Sequence, residues 1–190
     1  MPFALRVADR HDIPALEALI PLSVRELQAA YYSPPQIDGA LGTVFAVDRQ
    51  LISDGTYFAV DDGGVIVGCG GWSKRKTLFG GDQGRHASDD ALLDPTREPA
   101  RIRAFFVHPR WARRGIGMLI LRECERAATA AGFRTLELVA TLAGVPLYAA
   151  GGFRTVEEFE IPLANGEKMP AVRMGKAAAM PPDPRSSMPL

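Results

Sequence analysis

The 190-residue sequence has few residues able to staple or metallate a fold: two cysteines, Cys69 and Cys124, and three histidines, His11, His86 and His108. No CxxC or HxxxH spacing occurs, so neither a disulfide framework nor a metal site is expected. Cys69 lies in an apolar, strand-like run and Cys124 on the inner stripe of a helical pattern. Both read as small buried hydrophobes. Net charge is missing too, since 22 Lys and Arg balance 22 Asp and Glu, which gives no reason to expect nucleic-acid binding. No segment approaches the roughly 18–20 apolar residues of a membrane span. The opening "MPFALRVADRHDIPAL" carries charge too early for a signal peptide. A soluble, cytoplasmic protein without membrane contact is expected.

What is present suffices for one core: 47% of the residues are hydrophobic. A single domain is read over residues 1–175, with a small, polar, proline-rich tail at 176–190 expected to be disordered. "FALRVA" alternates as a strand, and Asp9 or Asp12 can cap the helix "DIPALEALIPLSVREL", with Pro21 expected to break or kink it. "YYSPPQIDGALG" is rich in turn residues and opens a second helix reaching about Leu51. "TYFAVDDGGVIVGCGGWS" reads as a hairpin about its Asp-Gly turn. Between Lys74 and Pro99 no period survives, so a long functional loop and a plain insertion are both open. "ARIRAFFV" is a strand, "MLILRECERAATAAG" an amphipathic helix, and "FRTLELVAT" the next strand, parallel to the first through the crossover. "VPLYAA" is a short helical turn, and "RTVEEFEIPL" with "KMPAVRMGK" closes the domain as a hairpin. The sum is a mixed α/β domain.

The chemistry concentrates in "VHPRWARRGIGMLIL", residues 107–121. Six arginines and no acid fall between Pro99 and Arg122, a concentration that suits a compact anion better than a polymer. The first amides of a helix lack partners and carry the positive end of its dipole. Gly115 and Gly117 let backbone approach a phosphate there, and Arg113 and Arg114 add charge. A dinucleotide fingerprint wants a third glycine where this chain has Ile120, and no GxxxxGK[ST] string exists. Nicotinamide, flavin, kinase and nucleotidase readings are therefore set aside.

Downstream, "PLYAAGGF" places Tyr148 four residues before Gly152. With "FFVHPRWARRGIGMLIL", it resembles the paired motifs of the GNAT superfamily of N-acetyltransferases, and the order of elements over residues 3–175 is similar to that family's. The resemblance implies a GNAT-type fold, a mostly antiparallel twisted sheet of about six to seven strands with a central parallel strand–helix–strand unit. It implies acetyl-CoA as co-substrate, its pyrophosphate on the amides of Arg113, Arg114, Gly115, Ile116, Gly117 and Met118. The pantetheine arm would run along Phe105, Phe106 and Val107, where an amide polarises the thioester carbonyl. Tyr148 would be the general acid toward the departing thiolate. The acceptor would be the amine of a small molecule or peptide, attacking directly, and monomer and homodimer both stay open.

Two positions depart from the family's pattern: Ala112 stands at the first basic or Gln position, and Ala143 where an asparagine often precedes the tyrosine. "RIRAFFV" lacks the glutamate that many members carry on the motif strand. Glu98, Glu137, His108 and a water chain are all open as general base. Without a base, a non-catalytic acyl-CoA sensor is the alternative. Five acids in 80–98 are candidates to attract a cationic amine, and Trp72 is either a core residue or part of an acceptor pocket.

Overall fold

The computed structural model describes residues 3–77 and 91–178. Seven strands form one sheet: β1 (Ala4–Val7), β2 (Tyr57–Asp62), β3 (Val65–Ser73), β4 (Ala100–Val107), β5 (Thr135–Thr141), β6 (Arg154–Pro162) and β7 (Lys168–Ala177), in the order β1-β2-β3-β4-β5-β7-β6. Every pairing is antiparallel except β4 with β5. This is the expected strand count and the expected parallel unit. The helices are α1 (Ile13–Leu27), α2 (Pro34–Ala40), α3 (Arg49–Ser53), α4 (Ile116–Ala130) and α5 (Val145–Ala150).

The two faces of the sheet bury different helices. The stripe Ile116, Ile120, Leu121, Cys124 and Ala128 sets α4 against Val60, Val67, Ile102, Leu136 and Leu138. On the other face α1, α2 and α3 bury Leu16, Ile20, Val24, Ile37 and Leu51 against Tyr57, Ala59, Phe106 and Ala171. Alternation along β4 and β5 therefore sends successive residues to opposite layers, which leaves both sides of the central strands packed. Trp72 belongs to the α4 layer, edge-on to Phe133 with ring centroids 5.9 Å apart. It is a core residue.

Some local expectations are corrected. Pro21 does not end α1, which runs through it to Leu27. Asp9, not Asp12, supplies the cap: its carboxylate accepts from His11 N–H, and Asp12 accepts back from Asp9 N–H at 2.8 Å. The helix expected to reach Leu51 is two, α2 and α3, because Gly42 turns left-handed (φ 82°) and Leu41 bridges to Phe45. The tail begins later than expected, since β7 includes Lys176 and Ala177. Residues 179–190 and the middle of the 74–99 loop, 78–90, lie outside the described residues.

Both cysteines are free and buried. Burial pushes the Cys69 thiol up to about 12 and the Cys124 thiol above the ordinary range. Neither thiol is expected to react with Ellman's reagent in the native protein, and both react once urea unfolds it. The sign with pH follows: the folded state holds these protons where the unfolded chain releases them, so stability falls as pH climbs past the ordinary thiol range. Urea midpoints measured from neutral to alkaline pH check this.

Candidate acetyl-transfer site

β4 and β5 pair over three rungs only, Ala100↔Leu136 to Ile102↔Leu138. Beyond them β4 bulges: Ala104 has φ 60°, and the register against β3 shifts between Cys69 and Gly71. A bulge bends the strand that carries it, so β4 leaves β5 while β5 stays with β7 as far as Thr141↔Ala171. Tyr57 O–H holds the bulge by donating to Ala104 O at 2.9 Å. The sheet is thus split open at Phe105–Val107.

Past the bulge, Phe106 pairs with Cys69, and His108 N–H donates to Val67 O at 2.9 Å. Alternation points the Phe105 and Val107 amides the other way, into the split. Val107 N–H is met there by Ser23 Oγ of α1, at 3.2 Å. A ligand pairing along this edge has to take that amide from the serine. Ser23 is a site residue that the sequence reading missed. The signal was a small polar residue, 4% exposed, inside the otherwise apolar stripe of α1.

The split opens on the α4 side into a groove of about 510 Å³. Its far wall is the arginine–glycine turn, whose beginning is pinned. His108 Nδ1 accepts from Arg110 N–H at 3.2 Å, and Trp111 Nε1 donates to Asp62 of the β2–β3 hairpin at 2.7 Å. From there the chain curls, with left-handed Arg113 (φ 63°) and Gly115 (φ 85°). Such alternation turns backbone N–H groups into one concavity. α4 then starts at Ile116 with no side-chain cap and no acid in its first turn, so its first amides are free for an anion.

The two glycines serve different ends. A Cβ on Gly115 would meet open space, so its left-handed backbone is what selects glycine. A Cβ on Gly117 would come within 2.9 Å of Leu147 Cδ2, so the second glycine lets α5 lie against α4. Phe105, Phe106, Val107, Arg113, Gly115, Ile116, Gly117 and Met118 all line the groove. Arg114 does not; it is exposed beside it. The basic segment is also less charged than its composition, since Arg101 pairs with Glu137 and Arg103 with Asp48, while Arg110 lies over the Trp111 ring.

On the other side of the split lies a smaller cavity of about 80 Å³, walled by Phe45, Val139, Ile161, Met169 and Ala171 and by Arg103. Groove and cavity share Gln28, Phe105, Phe106, Thr141 and Tyr148. Tyr148 is 7% exposed, its ring edge-on to Phe105 at 5.9 Å and to Phe153 at 6.1 Å. Its hydroxyl makes no hydrogen bond within the described residues, whereas Tyr32 O–H donates to Pro170 O and Tyr57 O–H to Ala104 O. Burial raises the Tyr148 phenol well above its ordinary range.

The candidate bases sit elsewhere. Glu98 accepts from Asp94 N–H at 2.8 Å, Glu137 is held by Arg101 and Arg173, and His108 serves the turn. None of the three lines the groove or the cavity.

The Acetyltransferase (GNAT) family model matches residues 22–153, more than half of the sequence. The chain belongs to the GNAT acetyltransferase family. Among similar solved structures is a GCN5-related N-acetyltransferase from Rhodopseudomonas palustris, 20% identical, TM-score 0.68, covering 93% of this chain and 96% of that one. The PaiA N-acetyltransferase of Thermoplasma acidophilum, solved with coenzyme A, is 14% identical with TM-score 0.62 over 93% and 99% of the two chains. YncA of Salmonella typhimurium, solved with acetyl-CoA, is 16% identical with TM-score 0.62 over 96% and 97%. At these identities the likeness establishes the GNAT fold. No curated protein matches the sequence. Among the described residues, no helix of this GNAT chain is long and apolar enough to cross a membrane. No three of His, Cys, Asp or Glu come together there as metal ligands.

Proposed function

We infer that this GNAT chain transfers an acetyl group from acetyl-CoA to a primary amine by direct attack, without a covalent enzyme intermediate. The observation that carries the reading is the Tyr148 hydroxyl, unpartnered at the meeting point of an amide-lined groove and a separate cavity. The groove suits coenzyme A: the uncapped start of α4 and the curl at 113–115 fit a pyrophosphate, and the free edge of β4 fits an amide-bearing arm. Acetyl-CoA, when bound, supplies the activated acyl group as a thioester.

The chain's residues then have separable tasks. The Phe105 amide, aimed into the split, receives the negative charge that develops on the acyl oxygen. Arg113 and the Gly115–Met118 amides hold the diphosphate. Tyr148 donates its O–H to the sulfur as the C–S bond breaks. A buried phenol is a weaker acid than a thiol, so the hydroxyl acts chiefly by hydrogen bonding to the developing thiolate. It stays protonated throughout the neutral range.

Calorimetric titration with acetyl-CoA, followed by CoA release in the presence of amines, tests this. Binding that weakens as salt rises is expected, because the contacts are to phosphates. Absence of any affinity for CoA or acetyl-CoA would sink the reading. Tight binding without CoA release across a broad amine panel would instead favour a non-catalytic acyl-CoA sensor, the reading supported by linings that hold no carboxylate or imidazole among the described residues.

A further inference from the structure

The carboxamide of Gln28, just past the end of α1, sits at the junction with no task in the transferase reading. Its backbone is fully used: N–H donates to Val24 O at 3.1 Å, and its carbonyl accepts from Tyr31 N–H at 2.9 Å and Tyr32 N–H at 3.1 Å. Its side chain is not. Oε1 is shut off from solvent with no donor facing it, although it lines both groove and cavity. A buried carbonyl oxygen left without a donor is costly and rare. A ligand N–H arriving in the split would satisfy it.

The charges around it say which kind of N–H. The titratable or charged groups facing the two depressions are Arg103 from β4, Arg113 from the turn before α4, Tyr148 from α5, and Tyr31 beyond α1. The 44–46 segment, β5, β6 and β7 present none there. Asp48 lies behind Arg103, paired with it at 2.7 Å, and Glu137 is taken by Arg101 and Arg173. Among the described residues no carboxylate faces the split, so an ammonium there would meet a guanidinium and nothing of opposite charge. A free amine meets an amide oxygen for its N–H and an apolar wall of Phe45, Val139, Ile161, Met169 and Ala171 for its substituent.

We propose that Gln28 is a positioning residue that receives an N–H of the acceptor, and that the acceptor enters as the neutral amine of a small apolar group. The proposal rests on the transferase reading above. It also removes the need for a catalytic base. The amine lone pair forms the new N–C bond, and the C–S bond breaks with its electron pair going to sulfur. The proton that nitrogen must lose is the one that sulfur must gain. Tyr148, between the two depressions, is placed to pass it with water. A neutral amine and a thioester give an amide and a thiol, with no proton left over.

The test uses the full chain with acetyl-CoA and two probes, aniline, neutral near pH 7, and benzylamine, an ammonium there. For benzylamine, kcat/KM is expected to rise about tenfold per pH unit below the amine's own pKa, while for aniline it stays flat. Gln28→Ala is expected to raise the KM of both amines about tenfold, with the KM of acetyl-CoA unchanged. Gln28→Glu, which puts a carboxylate in the split, is expected to flatten the benzylamine profile, a response that a structural role does not produce. The proposal is overturned by a flat benzylamine profile in the parent protein or by unchanged amine KM in Gln28→Ala. CoA release with neither amine, while acetyl-CoA binds, also overturns it. Failure of acetyl-CoA to bind at all defeats the transferase reading itself and this proposal with it.

Discussion

Tyr148→Phe is expected to lower kcat by about 10²-fold or more, the usual worth of a positioned proton donor, while leaving the KM of acetyl-CoA within about twofold. The ring is held by Phe105 and Phe153, both edge-on, and phenylalanine keeps those contacts. The hydroxyl has no partner among the described residues, so its removal takes away nothing that the fold uses. The hydroxyl is not among the solvent-excluded polar atoms, so deleting it leaves no buried group unsatisfied and is expected to be close to neutral for stability. The thermal midpoint is therefore expected to hold while turnover collapses, and that contrast separates a catalytic hydroxyl from a structural one. The parent's rate is expected to show no alkaline fall in the neutral range, since burial raises the phenol. Unchanged turnover of Tyr148→Phe near neutral pH would show that sulfur leaves without help from this residue.

Much of this site was legible in the sequence because its parts are local. A strand ending in Val107, a turn with Gly115 and a helix from Ile116 are contiguous, and where each residue lies follows from backbone geometry. Tyr148 was picked out differently, by the resemblance of "PLYAAGGF" to a GNAT motif rather than by backbone geometry. What the sequence did not show depends on contacts between distant segments. Ser23 meets Val107 across 84 positions, and Gln28 reaches the split only because the bulge at Ala104 opens it. The arginine count misled for a related reason. Arg101 and Arg103 sit in the same basic run as Arg113, yet their partners Glu137 and Asp48 are 36 and 55 positions away, and pairing removes them from any anion site. The second glycine of the turn was assigned to ligand approach, whereas its neighbour is Leu147, a helix–helix contact that motif spacing does not display.

Asp48→Ala is expected to destabilise the protein by about 3–5 kcal/mol, the usual consequence of leaving one member of a buried ion pair behind. Asp48 and Arg103 side chains are 1% and 4% exposed, 2.7 Å apart. Asp48 also accepts from Leu51 N–H at 3.1 Å as the cap of α3, and Arg103 donates to Thr77 O at 2.9 Å. Truncation takes the carboxylate away from a buried guanidinium and uncaps a helix in one step. The loss is expected as a fall in urea midpoint at constant m-value. Asp48→Asn keeps the cap oxygen and is expected to recover the helix contribution, about 1 kcal/mol, but not the charge. Arg103→Met in the Asp48→Ala background removes the buried cation along with its lost carboxylate and is expected to restore a larger share, since buried pairs tolerate joint replacement by apolar groups. If Asp48→Ala unfolds within about 1 kcal/mol of the parent, water reaches Arg103 through the cavity, and the dry wall argued for a neutral acceptor is wet. The same measurement therefore bears on stability and on which protonation state of the amine this face of the split admits.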